Sequence, residues 1–309
     1  MLRITILGTA AARPTPGRNV TALAVQREGD VLLFDCGEGT QRQMMRFSTG
    51  FAVRSIFITH LHADHVLGLP GLLRTMALQG RTETLHLYGP PRSTRTLNEL
   101  VHLGVERVGF PVEIAEISPG EFVEYGGWRV EAFDVSHTTH AVGWALREDE
   151  RLGRFDVERA RALGVPEGPL FGQLHRGEPI DVDGRVITAA DVVGPARPGR
   201  SFVFTGDTRP APSVAEAARG ADLLIHDATF LEDEAERADE TGHSTAAGAA
   251  RLARDAGVRQ LVLTHLSARY SDTPHLLEHE ARDIMPGARV AHDGQVIEVG
   301  WQDDEAEPA

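Results

Sequence analysis

The sequence predicts an α/β fold with a ligand site at one edge of its sheet. Short apolar runs rich in β-branched residues alternate with helical segments along most of the chain. The 309 residues are 41% apolar, enough to bury a large core in one domain or two closely joined ones. Four of the apolar runs end at a histidine or an aspartate. In an open α/β sheet, ligands bind at the carboxyl ends of the strands.

The predicted elements begin with a β-rich stretch and continue as an alternation of strands and helices. Each strand is assigned from an apolar run that is bounded by Gly, Pro or Asp. The predicted strands are 2–7, 20–26, 31–37, 55–60, 84–89, 112–117, 121–125, 128–135, 201–207, 221–230 and 260–265. The predicted helices are 39–47, 91–104, 244–257 and 273–284, and 68–79 is either a loop or a helix.

Residues 148 to about 200 interrupt this alternation. They have Gly-Pro punctuation, mixed charge and little periodicity, which indicates an inserted, partly extended arm. The arm has more acidic residues than arginines, so any basic surface on it requires that the arginines lie on one face. The last residues, 302–309, form an acidic tail that we expect to be disordered. We therefore predict one main domain over 1–300, with the insertion at 148–200.

Composition excludes several classes of protein. Cys36 is the only cysteine, which rules out a disulfide framework and a thiolate-rich zinc site. No apolar run approaches 18 residues, so we expect no membrane span. The first residues lack the pattern of a signal peptide, and we expect a reducing cytoplasm. The net charge of −14 argues against indiscriminate nucleic-acid binding, although a local groove of arginines remains compatible with it.

The stretch SIFITHLHADHVLG, residues 55–68, is the strongest chemical signal. It places three histidines and an aspartate within six positions directly after an apolar strand. An extended backbone turns His60, His62 and Asp64 to one side, while His65 faces another point. Burying so many ionisable groups without partners is costly, so the cluster predicts metal binding.

Three other strands end at residues that can bind a metal. They are His137, Asp207 and His265, each at the end of an apolar run. Taken alone, each is more typical of a hydrogen-bonded core or turn residue. Together with the first cluster they make seven candidates, more than the four ligands of one structural zinc. Two divalent ions about 3.5–4 Å apart, bridged by a carboxylate and a water, would use the whole set.

The chain resembles the metallo-β-lactamase superfamily, whose signature is present as HLHADH, and within it the ribonuclease Z family. The combination of HLHADH, GDTRP, GHST and THLSARY, in this order, indicates that branch. Further matching motifs are LGTAAARPTPGRN, FDCGEGTQRQ and IHDATF, so the resemblance covers nearly the whole chain. GVPEGPLFGQLHRGE, inside the arm, resembles the exosite of that family.

The resemblance implies a four-layer αβ/βα sandwich, in which helices cover two packed mixed sheets, with the arm as exosite. It implies a zinc-dependent endoribonuclease that removes the 3′ trailer from precursor tRNA, leaving a 3′-hydroxyl on the tRNA and a 5′-phosphate on the trailer. It also implies a homodimer, in which the arm of one subunit holds the tRNA that the other subunit cuts.

Residue roles follow from the same resemblance. Two Zn²⁺ ions per subunit are implied, with Mn²⁺ as an alternative. Asp64 would orient or deprotonate the attacking water, and His243, in GHST, would protonate the leaving group. Helix capping alone explains Ser244 or Thr245 but calls for no histidine at 243. One zinc would be held by His60, His62 and His137, the other by Asp64, His65 and His265, with Asp207 bridging. The implied substrate contacts are Arg18, Asn19, Gly168, Pro169, Arg151 and Arg154.

The chain departs from the family pattern at several positions. Pro16 stands where the family has a lysine, so one phosphate or base contact is missing. Asp227 replaces a glutamate and is one methylene shorter, which leaves its support of His243 open. His140 occupies the place of another glutamate, and we predict that it lies just behind the ligands.

The Gly-rich stretch FDCGEGTQ is not a P-loop, because it lacks the Lys-Ser/Thr pair of that motif. We predict that Asp35 and Glu38 brace the loops beneath the metals and that Cys36 is a buried apolar residue.

Two other functions remain open at this level. One is a small-molecule hydrolase or general phosphodiesterase of the same superfamily, which the acidic net charge favours slightly. The other is a binding protein whose metals are only structural.

Overall fold

A computed structural model describes residues 1–105 and 107–302. Two seven-stranded sheets form the centre of the fold. Numbered along the chain, the strands of the first sheet are β1 (Leu2–Gly8), β2 (Ala22–Arg27), β3 (Asp30–Phe34), β4 (Val53–Phe57), β5 (Leu85–Gly89), β6 (Val112–Glu116) and β16 (Val296–Val299). Those of the second sheet are β7 (Phe122–Glu124), β8 (Trp128–Asp134), β9 (Val142–Glu148), β12 (Ser201–Phe204), β13 (Leu223–Asp227), β14 (Gln260–Thr264) and β15 (Arg289–Val290).

Strand order places parallel strands side by side in both sheets. The first sheet runs β16-β1-β2-β3-β4-β5-β6, and β3 to β6 are parallel neighbours. The second runs β15-β14-β13-β12-β9-β8-β7, and β12 to β15 are parallel neighbours. Because parallel strands end at the same edge of a sheet, loops from four strands of each sheet gather together.

Helices cover the outer face of each sheet. The helices on the first sheet are α1 (Thr40–Arg46), α2 (Ala63–Val66), α3 (Leu69–Leu78) and α4 (Thr94–Val101). The later helices are α8 (Pro212–Ala217), α9 (Ala235–Thr241), α10 (Ala246–Asp255) and α11 (Pro274–Arg282), and short 3₁₀ turns lie at Glu232–Glu234 and Ala268–Tyr270.

The core between the two sheets contains aromatic side chains. Along each strand, residues that face this core alternate with residues that face away from it. Leu2, Ile4 and Ile6 of β1 all face it, as expected for side chains at period two. Phe34 of the first sheet packs edge-on against Phe202 of the second, with ring centroids 5.5 Å apart. Apolar clusters on the outer faces join the sheets to their helices. The predicted four-layer αβ/βα sandwich is thereby confirmed.

Some elements differ from the sequence prediction. No element was predicted at 136–147, yet β9 lies there and pairs antiparallel with β12. The helices α8 and α9 and the strands β15 and β16 were also missed. These elements have two to seven residues, shorter than the window over which periodicity is reliable. The segment 68–79, left open between loop and helix, is α3.

The chain divides into two compact units, and Glu148–Gly199 form the second. This arm is more helical than the sequence indicated and has a small core of its own around Ala160, Leu174 and Ile187. Its elements are α5 (Val157–Ala162), α6 (Pro169–His175), the hairpin β10 (Ile180–Val182) and β11 (Arg185–Ile187), and α7 (Ala189–Val192).

The predicted acidic tail at 302–309 lies outside the described residues from position 303 onward. Among the helices of residues 1–105 and 107–302, none has both the length and the apolarity needed to cross a bilayer.

Candidate metal centre

The structure brings the predicted ligands together at the edge where the parallel strands end. His60 follows β4, Asp207 follows β12 and His265 follows β14. Their ligand atoms form two groups, and within each group every atom lies within 4.8 Å of the others. One group is His60, His62, His137 and Asp207, and the other is Asp64, His65 and His265. A further set of equally close ligand atoms joins Asp207 and His265 to Asp227 and His243.

Asp207 lies between the two groups and turns one oxygen to each. Its Oδ2 is 3.5 Å from Nε2 of His60 and 3.9 Å from Nε2 of His137. Its Oδ1 is 3.3 Å from Nε2 of both His65 and His265. This is the arrangement that a carboxylate bridging two cations requires.

Buried hydrogen bonds orient the first two histidines. The Thr59 hydroxyl donates to Oδ2 of Asp35 at 2.9 Å and therefore accepts from Nδ1 of His60 at 3.0 Å. Nδ1 of His65 donates to the same carboxylate at 2.7 Å. Both rings consequently use Nδ1 for a protein partner and turn Nε2 to the centre, where a metal ion could bind it.

In the second sheet, a threonine bound to an aspartate orients His265 in the same way. The Thr229 hydroxyl donates to Oδ1 of Asp227 at 2.8 Å and accepts from Nδ1 of His265 at 3.0 Å. Nδ1 of His137 donates to the carbonyl oxygen of Gly242 at 2.8 Å. Four of the five clustered histidines are thus held in the tautomer that leaves Nε2 free for a cation.

His62 presents its other nitrogen. Its Nδ1 lies 2.9 Å from Nε2 of His60 and 3.3 Å from Nε2 of His137. His62 is the exposed member of its group and stands directly before α2.

The loops that carry the site have a strained backbone. Ala12, Asp35 and His265 all have φ near +60°, between 58° and 60°, which residues with a Cβ rarely adopt. The strained conformation of Ala12 is accompanied by a hydrogen bond, in which its N–H donates to Oδ2 of Asp64 at 2.7 Å. Gly206, at φ 59°, leaves no room for a Cβ, which would lie 2.8 Å from Thr59. Tight packing therefore determines where these ligands stand.

Two buried polar atoms without hydrogen-bond partners indicate that these residues can hold a metal ion. Nε2 of His65 and Oδ1 of Asp207 are buried and have no hydrogen-bond partner within the described part of the chain. Native structures rarely leave buried polar atoms unpaired, and a cation would satisfy both.

The electrostatics of the centre also favour a cation. Burial opposes the charge of Asp207, but His265, His65 and His60 outweigh that effect and hold the pKa of Asp207 well below its usual range. Burial lowers the pKa of His60, which keeps its imidazole neutral. For His65 the carboxylates of Asp207 and Asp35 outweigh burial and raise its pKa well above the usual value. The centre therefore attracts positive charge strongly.

His243 lies beside the ligand groups and is bound to Asp227. Nδ1 of His243 donates to Oδ2 of Asp227 at 2.8 Å, so the shorter aspartate does reach it. Burial opposes the charged form of His243, but the Asp227 carboxylate outweighs it and raises the pKa of His243 to about 9. His243 is therefore an imidazolium near neutral pH and can donate a proton.

A cavity of about 500 Å³ opens onto these groups. Its wall includes His62, Asp64, Asp207, His243 and His265, so members of both ligand groups and His243 face the same space. The remaining lining residues are Ala11, Ala12, Arg13, Ala63, Thr229, Phe230, Arg237, Thr241, Ser267 and Ala268.

Two predicted substrate residues do not line this cavity. Nη1 of Arg18 donates to Oγ1 of Thr9 at 2.8 Å and to the carbonyl oxygen of Ala291 at 2.7 Å. Nδ2 of Asn19 donates to the carbonyl oxygen of Glu38 at 2.9 Å. Both side chains stabilise the loop after β1, and their contact with substrate stays a prediction.

The other predicted positions lie elsewhere. His140 is exposed, with Nε2 3.2 Å from Nη1 of Arg92, so the expectation that it lies behind the ligands is wrong. Asp35 and Cys36 are buried as predicted, whereas the Glu38 side chain is exposed. The predicted arm contacts, Arg151, Arg154, Gly168 and Pro169, all belong to the second unit.

Sequence reasoning missed Thr59 and Thr229, which orient His60 and His265. Thr59 directly precedes its histidine, so the local signal was present, but Thr229 and His265 are 36 residues apart. It also missed Arg13 and Arg237 in the cavity wall. Nothing in the local sequence distinguishes these two arginines from the others.

Comparisons with known proteins agree with this architecture. Residues 2–152 match the family described as anti-Pycsar protein Apyc1, and residues 175–266 match a β-lactamase superfamily domain. Ribonuclease Z of Myxococcus xanthus is 54% identical over 98% of this chain and 99% of its own length. That of Haloferax volcanii is 53% identical, over 98% and 97%. The crystal structure of human tRNase Z, short form, covers 96% of this chain and 99% of its own, with 27% identity and a TM-score of 0.70. The chain is therefore a nuclease that belongs to the ribonuclease Z family.

Proposed function

We propose that this protein is a zinc-dependent endoribonuclease that removes the 3′ trailer from precursor tRNA. The observation that carries the proposal is that Asp207 lies close to both ligand groups through separate oxygens and that members of both groups, together with His243, line one cavity. A bridged pair of divalent ions with an adjacent proton donor suits hydrolysis of a phosphodiester. The full-length similarity to ribonuclease Z proteins supplies the substrate class.

Two Zn²⁺ ions per subunit fit the donor set. Imidazole nitrogens and carboxylate oxygens suit zinc, and Mn²⁺ is the alternative because it accepts the same ligands. When bound, such ions lower the pKa of water and neutralise charge on the phosphoryl oxygens. The first would be held by His60, His62 and His137, the second by Asp64, His65 and His265, and Asp207 would bridge them.

Asp64 is the candidate proton acceptor. Burial raises the pKa of Asp64, but His265 and His65 together outweigh that effect and hold the pKa of Asp64 below its usual range, so this carboxylate is ionised near neutral pH. The Ala12 N–H donates to Oδ2 at 2.7 Å, which leaves Oδ1 to orient the attacking water and accept its proton.

His243 is the candidate proton donor. Its Nδ1 is bound to Asp227, so Nε2 can donate to the leaving 3′-oxygen. The water oxygen forms a bond to phosphorus, and the bond from phosphorus to the 3′-oxygen breaks. The products are a tRNA with a 3′-hydroxyl and a trailer with a 5′-phosphate.

The remaining contacts are proposed on the family resemblance. Arg151, Arg154, Gly168 and Pro169 of the arm would contact the tRNA body, and Arg18 and Asn19 its 3′ region. The enzyme would act as a homodimer in the cytoplasm, with the arm as exosite. Deletion of 155–195 is expected to weaken tRNA binding and to leave hydrolysis of bis(p-nitrophenyl) phosphate in place.

The deciding experiment incubates purified, zinc-loaded protein with a precursor tRNA that bears a 3′ trailer, and maps the cut and its end groups. A single cut near the acceptor stem, leaving a 3′-hydroxyl, supports the proposal. Hydrolysis of bis(p-nitrophenyl) phosphate without any cut in the RNA would contradict it and favour a small-molecule phosphodiesterase.

A further inference from the structure

Two arginines line the cavity of the metal centre, one on each of two chain segments. Arg13 lies on the loop after β1, and Arg237 lies on α9. Both side chains are exposed. Across residues 1–105 and 107–302, neither guanidinium has a carboxylate within 4.0 Å. In a chain with net charge −14, two such cations at one cavity call for an explanation.

Arg237 lacks an ion pair although acidic residues surround it in the sequence, within EDEAERADE. Three of the six acidic residues in this stretch are bound by other arginines. Glu232 pairs with Arg251 at 2.6 Å, Asp239 pairs with Arg209 at 3.0 Å, and Glu234 pairs with Arg269. Since no carboxylate of the described residues lies within 4.0 Å of the Arg237 guanidinium, this group can contact a ligand.

An aromatic ring keeps Arg237 near the proton donor. Its guanidinium carbon lies 5.7 Å from the centroid of the Phe230 ring, and that ring lies 6.3 Å from the ring of His243. A cation held over an aromatic face retains its charge and its outward N–H groups. Arg237 can therefore bind an anion beside His243.

Arg13 lies on the loop that contacts the candidate proton acceptor, Asp64. The preceding residue, Ala12, donates its N–H to Asp64, which fixes the backbone from which Arg13 projects.

We propose that Arg13 and Arg237 form a phosphate clamp that binds the RNA backbone phosphates on either side of the scissile phosphodiester. The clamp rests on the proposed function, because only a polynucleotide offers flanking phosphates. Arginine suits this role, since its planar guanidinium forms paired hydrogen bonds with phosphate oxygens. The clamp would fix the register of the RNA strand between Asp64 and His243.

The test compares Arg13→Gln, Arg237→Gln and the double variant on precursor tRNA and on bis(p-nitrophenyl) phosphate, which has a single phosphate. Each single change is expected to raise KM for precursor tRNA roughly tenfold, the worth of one charged hydrogen bond, while kcat changes little. The slope of log affinity against log salt should become shallower by about 0.7 per arginine. Hydrolysis of the small diester should stay within about twofold of wild type, since it makes no flanking contact.

Two control variants separate a binding role from general effects. Arg3→Gln removes one exposed positive charge at the beginning of β1, the far end of the strand that leads to Arg13, and should leave both activities unchanged. Arg237→Lys keeps the charge and should restore part of the affinity for precursor tRNA.

The outcomes distinguish the clamp from the proposed function. If wild-type protein cleaves precursor tRNA and both glutamine variants match it in KM and salt slope, the clamp is wrong and the proposed function stands. Equal loss on both substrates would also overturn the clamp, because it would indicate damage to the metal centre. A wild-type protein that hydrolyses only the small diester would overturn the proposed function and the clamp with it.

Discussion

Each of the two sheets contributes one fully buried aspartate to the centre, and the two aspartates have matching partners. Asp35, after β3, accepts from the Thr59 hydroxyl and from Nδ1 of His65. Asp227, at the end of β13, accepts from the Thr229 hydroxyl and from Nδ1 of His243. Both threonines then accept from a further histidine.

The two aspartates differ in what the bound histidine can do. His65 is fully buried, and its unpartnered Nε2 lies 3.3 Å from Oδ1 of Asp207. His243 lines the cavity, where substrate can reach it. The same hydrogen bond thus orients a candidate metal ligand in one sheet and the candidate proton donor in the other. The two histidines share the kind of partner and differ in exposure, so exposure separates their proposed roles.

The largest effect is expected from Asp207→Ala, because this carboxylate serves both ligand groups. Its loss should release metal from both and lower hydrolysis of either substrate by about 10³-fold or more. Metal content by mass spectrometry, together with rates on both substrates, checks this. Asp30→Ala, which removes an exposed ion pair with Arg54, is the control. A variant that keeps two bound metals would contradict the bridging role.

His243→Ala should have the next largest effect. Removal of a proton donor is expected to lower kcat for precursor tRNA by about 10²- to 10⁴-fold, with KM and metal content little changed. Loss of metal in this variant would show instead that His243 is a ligand, and the difference between the two aspartates would disappear.

Asp35→Asn tests the metal side of the comparison. Asparagine tolerates the φ of 58° at this position. An amide that keeps its oxygen on the Thr59 N–H turns an NH₂ toward Nδ1 of His65, which forces the proton onto Nε2 and blocks coordination. Metal affinity, measured by competition with a chelator, should fall about 10- to 100-fold. The control Asp30→Asn should leave metal affinity unchanged. If Asp35→Asn also left metal affinity unchanged, the proposal that the second group holds a metal would be wrong.

Asp227→Asn should have the smallest effect of the four. The amide no longer stabilises the imidazolium of His243, so the pKa of His243 should fall. A smaller protonated fraction of His243 at the assay pH is expected to lower kcat roughly tenfold. Metal affinity should match wild type, unlike that of Asp35→Asn. If both asparagine variants lose metal equally, the proposed difference between His65 as a metal ligand and His243 as a proton donor is wrong.

Much of the centre was predictable because metal ligands leave local signals. HLHADH concentrates four ligand-type residues in six positions, and His137, Asp207 and His265 each end an apolar run. The assignment of Thr229 to His265 was not predictable, because hydrogen bonds between distant loops follow from folding alone. The role of Arg18 shows the same limit, since its partners include Ala291, 273 residues away.

The sequence by itself determined the α/β class, the residues able to bind metal and the strand ends on which they stand, because periodicity and residue chemistry are local properties. Tertiary structure alone decided which nitrogen each histidine presents, how Asp207 divides its two oxygens, and that Arg13 and Arg237 face one cavity. These features depend on contacts between loops of two different sheets, and only packing of those sheets brings the loops within hydrogen-bond distance.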